Sequence, residues 1–407
     1  MNLDRTLADS VTLSPGQGRR LLLSLSTLAL VAGIATVLGI LVDGPSLGGP
    51  QRLAFSYLTA LVFVTSVAVG SLAWLLLTHL TGAVWSVVLR RVLENLTLAL
   101  PLIACLFIPV LLNLSRFYPW ADSVTVSSDP ELTRKAVWLN PTFFAIRTAV
   151  YLTCWVFVAW RLSRLSLRQD LSDDGDRSLS RRMRATSSWG LVLIGVTSSF
   201  AAFDWLMSLD PHWISTMFGV YFWAGSLVSA LAALVLAVLI LQAMGALHET
   251  VTVEHLHDLG KLLFGFVIFW AYIAFSQYFL IWYSNFPEET RWYITRRTGI
   301  WNILSWALVF GHFVAPFCLL IFRATKRSPF WLGFTAVWVL FFHYLDLYWV
   351  IMPSMPGEVF RVHWLDATLA LTLSCLCGAA VAWAGRSHPL VAVGDYRLAE
   401  SQAFRSS

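Results

Sequence analysis

The densest group of side chains able to hold or pass a proton is FDWLMSLDPHWISTMFGVY, residues 203–221, with Asp204, Asp210, His212 and Tyr221. Carboxylates mixed with imidazole exchange protons near neutral pH. The same stretch reads equally as an aromatic hairpin, in which Asp210 and Pro211 turn the chain, Asp210 caps the next helix, and Trp205 and Trp213 mark an interface. A second group is His312, His343 and Asp346. Residues 343 and 346 are three apart and share one face of a helix. In apolar surroundings such groups are costly unless paired or hydrated. They form either a proton-conducting element or a packing contact in which Asp346 captures His343 or a tyrosine hydroxyl.

A third set, Glu94, His257, Asp258 and Lys261, precedes long apolar runs and suits either a proton entrance or a solvated loop. Tyr272, Gln277 and Tyr278, with Tyr221, offer flat rings and a few hydrogen-bonding groups, as a quinone head group in an apolar cleft needs and as an aromatic belt also has. Metal chemistry is a poorer fit. His312 and His343 are a single candidate pair for haem, with no second pair at matched depth. The five cysteines, at 105, 154, 318, 375 and 377, lie in apolar segments without disulfide or cluster spacing. No metal is expected on this chain; any redox metal would belong to another subunit, with the organic carrier handled here.

The elements that carry these residues are apolar helices. Of 407 residues, 57% are hydrophobic and only 13% charged, with mean hydropathy +0.69. Soluble domains have about twice that charge, so a soluble enzyme or a disordered scaffold is excluded. Ten runs suit membrane helices: 21–42, 54–78, 95–114, 143–160, 189–207, 214–243, 262–283, 300–322, 330–352 and 365–384. The fourth is short and the sixth long. The first is too long for a signal-peptide core and lacks a small-residue cleavage site, so it is expected to be retained. Pro101, Pro109 and Pro316 should kink their helices.

With the N-terminus inside, 19 of the 28 Lys and Arg fall on the inner side, dominated by Arg161, Arg164, Arg168, Arg177, Arg181, Arg182 and Arg184. Both termini are therefore expected in the cytoplasm. The formal charge of +5 is then a topological signal plus attraction to anionic lipid, and nucleic acid is not a partner. Aromatic outer rims recur after helices three and seven, which suggests a duplicated four-helix unit. The expected organisation is a tail (1–20, with Arg5), a first helix (21–42), two four-helix bundles (54–207 and 214–352), a last helix (365–384) and a second tail (385–407). A transporter would need broken Gly/Pro helices at matching positions of its halves, and these are not seen.

Three segments carry a family resemblance: DWLMSLDPHWISTMFGVYFWAGS (204–226), HDLGKLLFGFVIFWAYIAFSQYFLIWYSNFPEET (257–290) and HPLVAVGDYRLAESQAF (388–404). The chain resembles the ActF-type membrane subunits of bacterial Alternative Complex III, a quinol:electron-acceptor oxidoreductase of the inner membrane, within the NrfD/PsrC-like family. The resemblance implies ten helices with two four-helix bundles and no haem or iron–sulfur cluster on this subunit. It implies quinone or menaquinone handling, a proton pathway, and structural phospholipids. The implied partners are an ActC-like membrane subunit, extracytoplasmic iron–sulfur and multihaem cytochrome subunits, and a terminal oxidase. The family pattern covers Asp204, Asp210, His212, His257, Asp258, Lys261, Gln277 and Tyr278, with His343 and Asp346 matching in placement. The competing reading is a mainly structural subunit that supports the ActC-like partner.

Overall fold

The computed structural model describes residues 12–43, 49–172, 177–356 and 363–405. Residues 1–11, with Arg5, and residues 357–362 lie outside the described residues. Among the described residues there is no strand. Ten helical segments are long and apolar enough to cross a membrane: α1 (Pro15–Leu41), α2 (Gln51–Thr81), α3 (Val87–Leu112), α4 (Pro141–Asp170), α5 (Arg177–Leu209), α6 (Phe218–Ala243), α7 (Val253–Ser284), α8 (Gly299–Leu320), α9 (Pro329–Ser354) and α10 (Trp364–Gly385).

Segments α2–α5 pack around one another in a ring, as do α6–α9, and the rings meet where α2 lies along α6. α1 and α10 pair on the flank of α2. The two central helices are apolar all round, as buried helices must be, and their most apolar stretches are 83% and 72% buried. Small residues let them approach: a Cβ on Gly70 would lie 1.9 Å from the carbonyl oxygen of Ser226. Backbone cannot yield as a side-chain tip does, so Gly70→Ala is expected to cost roughly 1–3 kcal/mol. Thermal unfolding in detergent checks this, with Gly265→Ala, whose Cβ meets nothing within 4 Å, as the unshifted control.

The structure corrects several boundaries. The first helix starts at Pro15 rather than at 21. The stretch 161–188 is mostly helix, because α4 runs on to Asp170 and α5 already begins at Arg177. Hydropathy fell where arginines began, but Arg, Leu and Gln are good helix formers. The fourth helix is thus 30 residues long, not short, and the sixth has 26. Asp210 caps nothing: the sixth helix starts at Phe218, with Met217 as its N-cap and no side-chain cap bond.

Interruptions of the helices accompany these prolines. The α3 span is broken at Leu98 and Ala99 and again at Phe107, just before Pro101 and Pro109. In α8 a π-helical turn, Leu308–Val314, precedes Pro316. Gln17 Nε2 donates to the Met244 carbonyl (2.5 Å), so the start of α1 lies at the face where α6 ends.

Candidate proton-active site

The inside of the second ring holds the group that the 343/346 spacing pointed to. From α9, His343 and Asp346 point inward and are buried. They do not bond to each other. The Tyr221 hydroxyl of α6 donates to Asp346 Oδ1, and Trp270 Nε1 of α7 donates to its Oδ2 (3.3 Å). The tyrosine capture weighed from the sequence is the arrangement adopted. His343 Nε2 shares a hydrogen bond with the Ser66 hydroxyl of α2 (2.8 Å), which ties the site to the first ring. Its Nδ1 has no partner.

His312 completes the group. It is wholly buried, its ring centroid 3.9 Å from that of Trp270 and 6.2 Å from that of His343. Neither ring nitrogen has a protein partner. It lies on the π-helical turn, a distortion frequent at functional sites. Trp338 Nε1 donates to the Gly311 carbonyl on that turn (2.7 Å). Two glycines leave room: a Cβ on Gly311 would lie 2.0 Å from the Phe342 ring, and one on Gly225 would lie 2.8 Å from the His343 ring. The cavity bounded by Tyr221, Gly225, His343 and Asp346 is about 10 Å³, the room that one water requires.

A row of polar side chains lies between this group and the face where α7 ends, with no hydrogen bond joining it to Asp346 or His343 among the described residues. Gln277 is buried and donates to the Tyr293 hydroxyl (3.3 Å), while its Oε1 has no partner. Arg296, on the short helix Pro287–Arg296, donates to the carbonyls of Trp349 (3.0 Å), Trp292 (2.9 Å) and Val350 (2.7 Å). The Trp292 ring centroid is 3.4 Å from its guanidinium carbon. Burial pushes the Arg296 pKa down to about 9, against the opposing influence of Tyr293, Asp210 and Tyr221. It remains a cation at neutral pH, the carbonyls and the ring face replacing water.

The other candidates are dispersed. Asp204 belongs to the first ring. It receives both Arg147 Nε (2.7 Å) and Nη2 (2.8 Å), the Tyr151 hydroxyl (2.8 Å) and Trp138 Nε1 (3.2 Å). His212 is exposed and pairs with Asp129 (2.7 Å). Glu94 is buried 3.4 Å from both Arg90 and Arg91, which themselves pair with Asp395 and Asp170. Lys261 pairs with Asp258 (2.8 Å) and is half-buried; His257 is buried nearby. Tyr278 packs edge-on against Tyr293, whereas Tyr272 is 65% exposed and faces away from the site.

Sequence reasoning missed four participants: Ser66, Trp270, Arg147 and Arg296. Ser66 and Trp270 are ordinary residues of apolar helices, and nothing marks their inward direction. Arg147 and Arg296 carried a signal, each being a charge at the edge of an apolar run. Also missed was a buried pair from opposite ends of the chain, Arg52 and Asp366 (2.5 Å), joined by the Tyr348 hydroxyl (2.9 Å) and Ser56. Among the described residues no three His, Cys, Asp or Glu converge as a metal site would require.

No family model matches the chain, and no curated protein matches it. Its geometry and composition make it a multi-pass, all-α protein of membrane character, with a polar site sealed inside its second ring of helices.

Proposed function

We propose that this chain is a membrane subunit of a quinol-oxidising respiratory complex and that His343, Asp346, Tyr221 and His312 handle its protons. The observation that carries the reading is the trio of buried imidazole nitrogens without protein partners beside a tyrosine-bonded carboxyl. An unsatisfied buried polar group costs about 1–3 kcal/mol. Keeping three together is reasonable where a water or a transferred proton meets them. The quinone ring itself does not fit here: about 10 Å³ is far below the roughly 300 Å³ of a small-molecule site. The reading is therefore of proton handling, with quinol oxidised elsewhere in the complex.

Quinol oxidation releases electrons and protons that must part company. Electrons would pass to iron–sulfur and haem centres on partner subunits, next to an ActC-like membrane subunit. Protons would be held by Asp346 and Tyr221 and leave past Tyr293 toward Asp210, with the Arg296 cation as a fixed charge beside the route. The seven arginines between 161 and 184 support a cytoplasmic position for the face bearing the ends of the chain, in a bacterial inner membrane. The polar line then points outward.

His312→Phe tests the reading. Phenylalanine keeps a flat ring against Trp270 and removes both unpartnered nitrogens. A purely structural His312 would leave turnover unchanged and stability equal or about 1 kcal/mol higher. The expected result is that same stability with quinol-driven turnover of the assembled complex reduced about tenfold or more. Unchanged turnover overturns the proposal in favour of a structural subunit.

A further inference from the structure

A cleft of about 330 Å³ opens where the end of α2, the start of α5 and the C-terminal segment meet, lined by His79, Arg177, Ser180, Arg181, Arg184, Tyr396 and Arg397. Among the described residues, four guanidinium groups line it and no carboxylate does. Arg397 is neutralised by Asp395, through Nε (3.1 Å) and Nη2 (3.0 Å), and its Nη1 is anchored on the Gly82 carbonyl (3.1 Å). Asp395 is also taken by Arg90 (2.5 Å). Burial works against its charge, but Arg397 and Arg90 hold its carboxyl below the usual range. Asp395 therefore has little left to offer the other arginines.

The other arginines have no carboxylate partner among the described residues. Arg184 Nε reaches the His79 carbonyl (3.4 Å) and its Nη2 passes over Gly82, where a Cβ would lie 2.5 Å away and where φ is +66°. Arg177 stacks over the Tyr396 ring at 5.0 Å. Among the described residues neither they nor Arg181 makes an ion pair. Ser180 accepts from Gln169 Nε2 (2.9 Å), which leaves its hydroxyl proton to give. His79 is 5% exposed, and its Nε2 has no hydrogen-bond partner.

We propose that this cleft binds a phosphate-bearing anion, held by Arg177, Arg181 and Arg184 with His79 and Ser180 as further donors. Converging like charges repel unless an anion joins them, and the planar fork of arginine matches phosphate oxygens in pairs. The cleft lies at helix ends, the depth of lipid headgroups, where basic pockets between helices take acidic lipids. A free phosphate offers the same oxygens.

The test uses the full chain in neutral detergent and in phosphatidylcholine nanodiscs, with cardiolipin or inorganic phosphate added separately. Thermal midpoints and native mass spectrometry are the readouts. Cardiolipin is expected to be retained and to raise the midpoint, and R177Q/R181Q/R184Q to weaken its binding about tenfold or more. Arg181→Gln alone, at an exposed residue, weakens binding without threatening the fold. A response to inorganic phosphate that the same substitutions remove assigns the site to free phosphate. No response to either anion, or equal binding by the triple variant, overturns the proposal. Residues 173–176, outside the described residues, place three aspartates just before Arg177. Binding that emerges only in D173N/D174N/D176N would also overturn it, by identifying those carboxylates as the occupants.

Discussion

Asp346→Asn is expected to lower quinol-driven turnover and proton release of the assembled complex by about a hundredfold, the usual scale for losing a proton-transfer group. The substitution is nearly isosteric. Its amide oxygen still accepts from Tyr221, so the cost in folding is confined to the long bond from Trp270 (3.3 Å). What it removes is the capacity of this carboxyl group to take up and release a proton beside Tyr221 and the histidines. Turnover assayed with a soluble acceptor, and acidification followed in proteoliposomes, separate the two consequences. Tyr221→Phe should act in the same direction and more weakly, since the carboxyl survives without its donor. Wild-type rates in Asp346→Asn would remove the proton role and leave a packing role for the site.

Arg147→Ala is expected to have the largest effect on stability, about 3–5 kcal/mol, because it strands a buried carboxylate. Asp204 is 1% exposed and takes two hydrogen bonds from Arg147. The same guanidinium donates to the Trp138 carbonyl (2.9 Å) and lies 4.2 Å from the Trp138 ring and 4.3 Å from that of Phe143. One residue thus ties the connection before α4 to the end of α5. Removing both charges together should cost less than the sum of the single changes, which a double-mutant cycle on unfolding in detergent would measure. Proton release per assembled complex should be unaltered. A selective loss of proton release with stability retained would instead place Asp204 on the proton route.

Legibility followed the physics of each signal. Hydropathy located the ten helices that are long and apolar enough to cross a membrane, because lipid demands apolar length. It failed at the ends of α4 and α5, since helix propensity outlasts hydropathy through arginine-rich turns. Within the site, His343 and Asp346 were legible from spacing on one helix and the cost of ionisable groups in an apolar run. Tyr221 was singled out in the 203–221 group and as a ring for a quinone, but not as the tyrosine that Asp346 captures. Ser66 and His343 are 277 residues apart, and Arg52 and Asp366 are 314 apart. No local pattern encodes such pairings; they follow from which helices become neighbours. Asp204, Asp210 and His212 are close in sequence, yet the structure sends one into the first ring and one to Asp129, because the turn between α5 and α6 belongs to neither helix.

The union of α1 with α10 has a bearing on biogenesis. α1 finds its main neighbour in α10, far along the chain, and only 17% of its most apolar stretch is buried. Until α10 has been made, α1 must wait in lipid or beside an insertion factor. Its docking is thus a closing event, and chains cut short before Trp364 should leave it loose and open to membrane proteases.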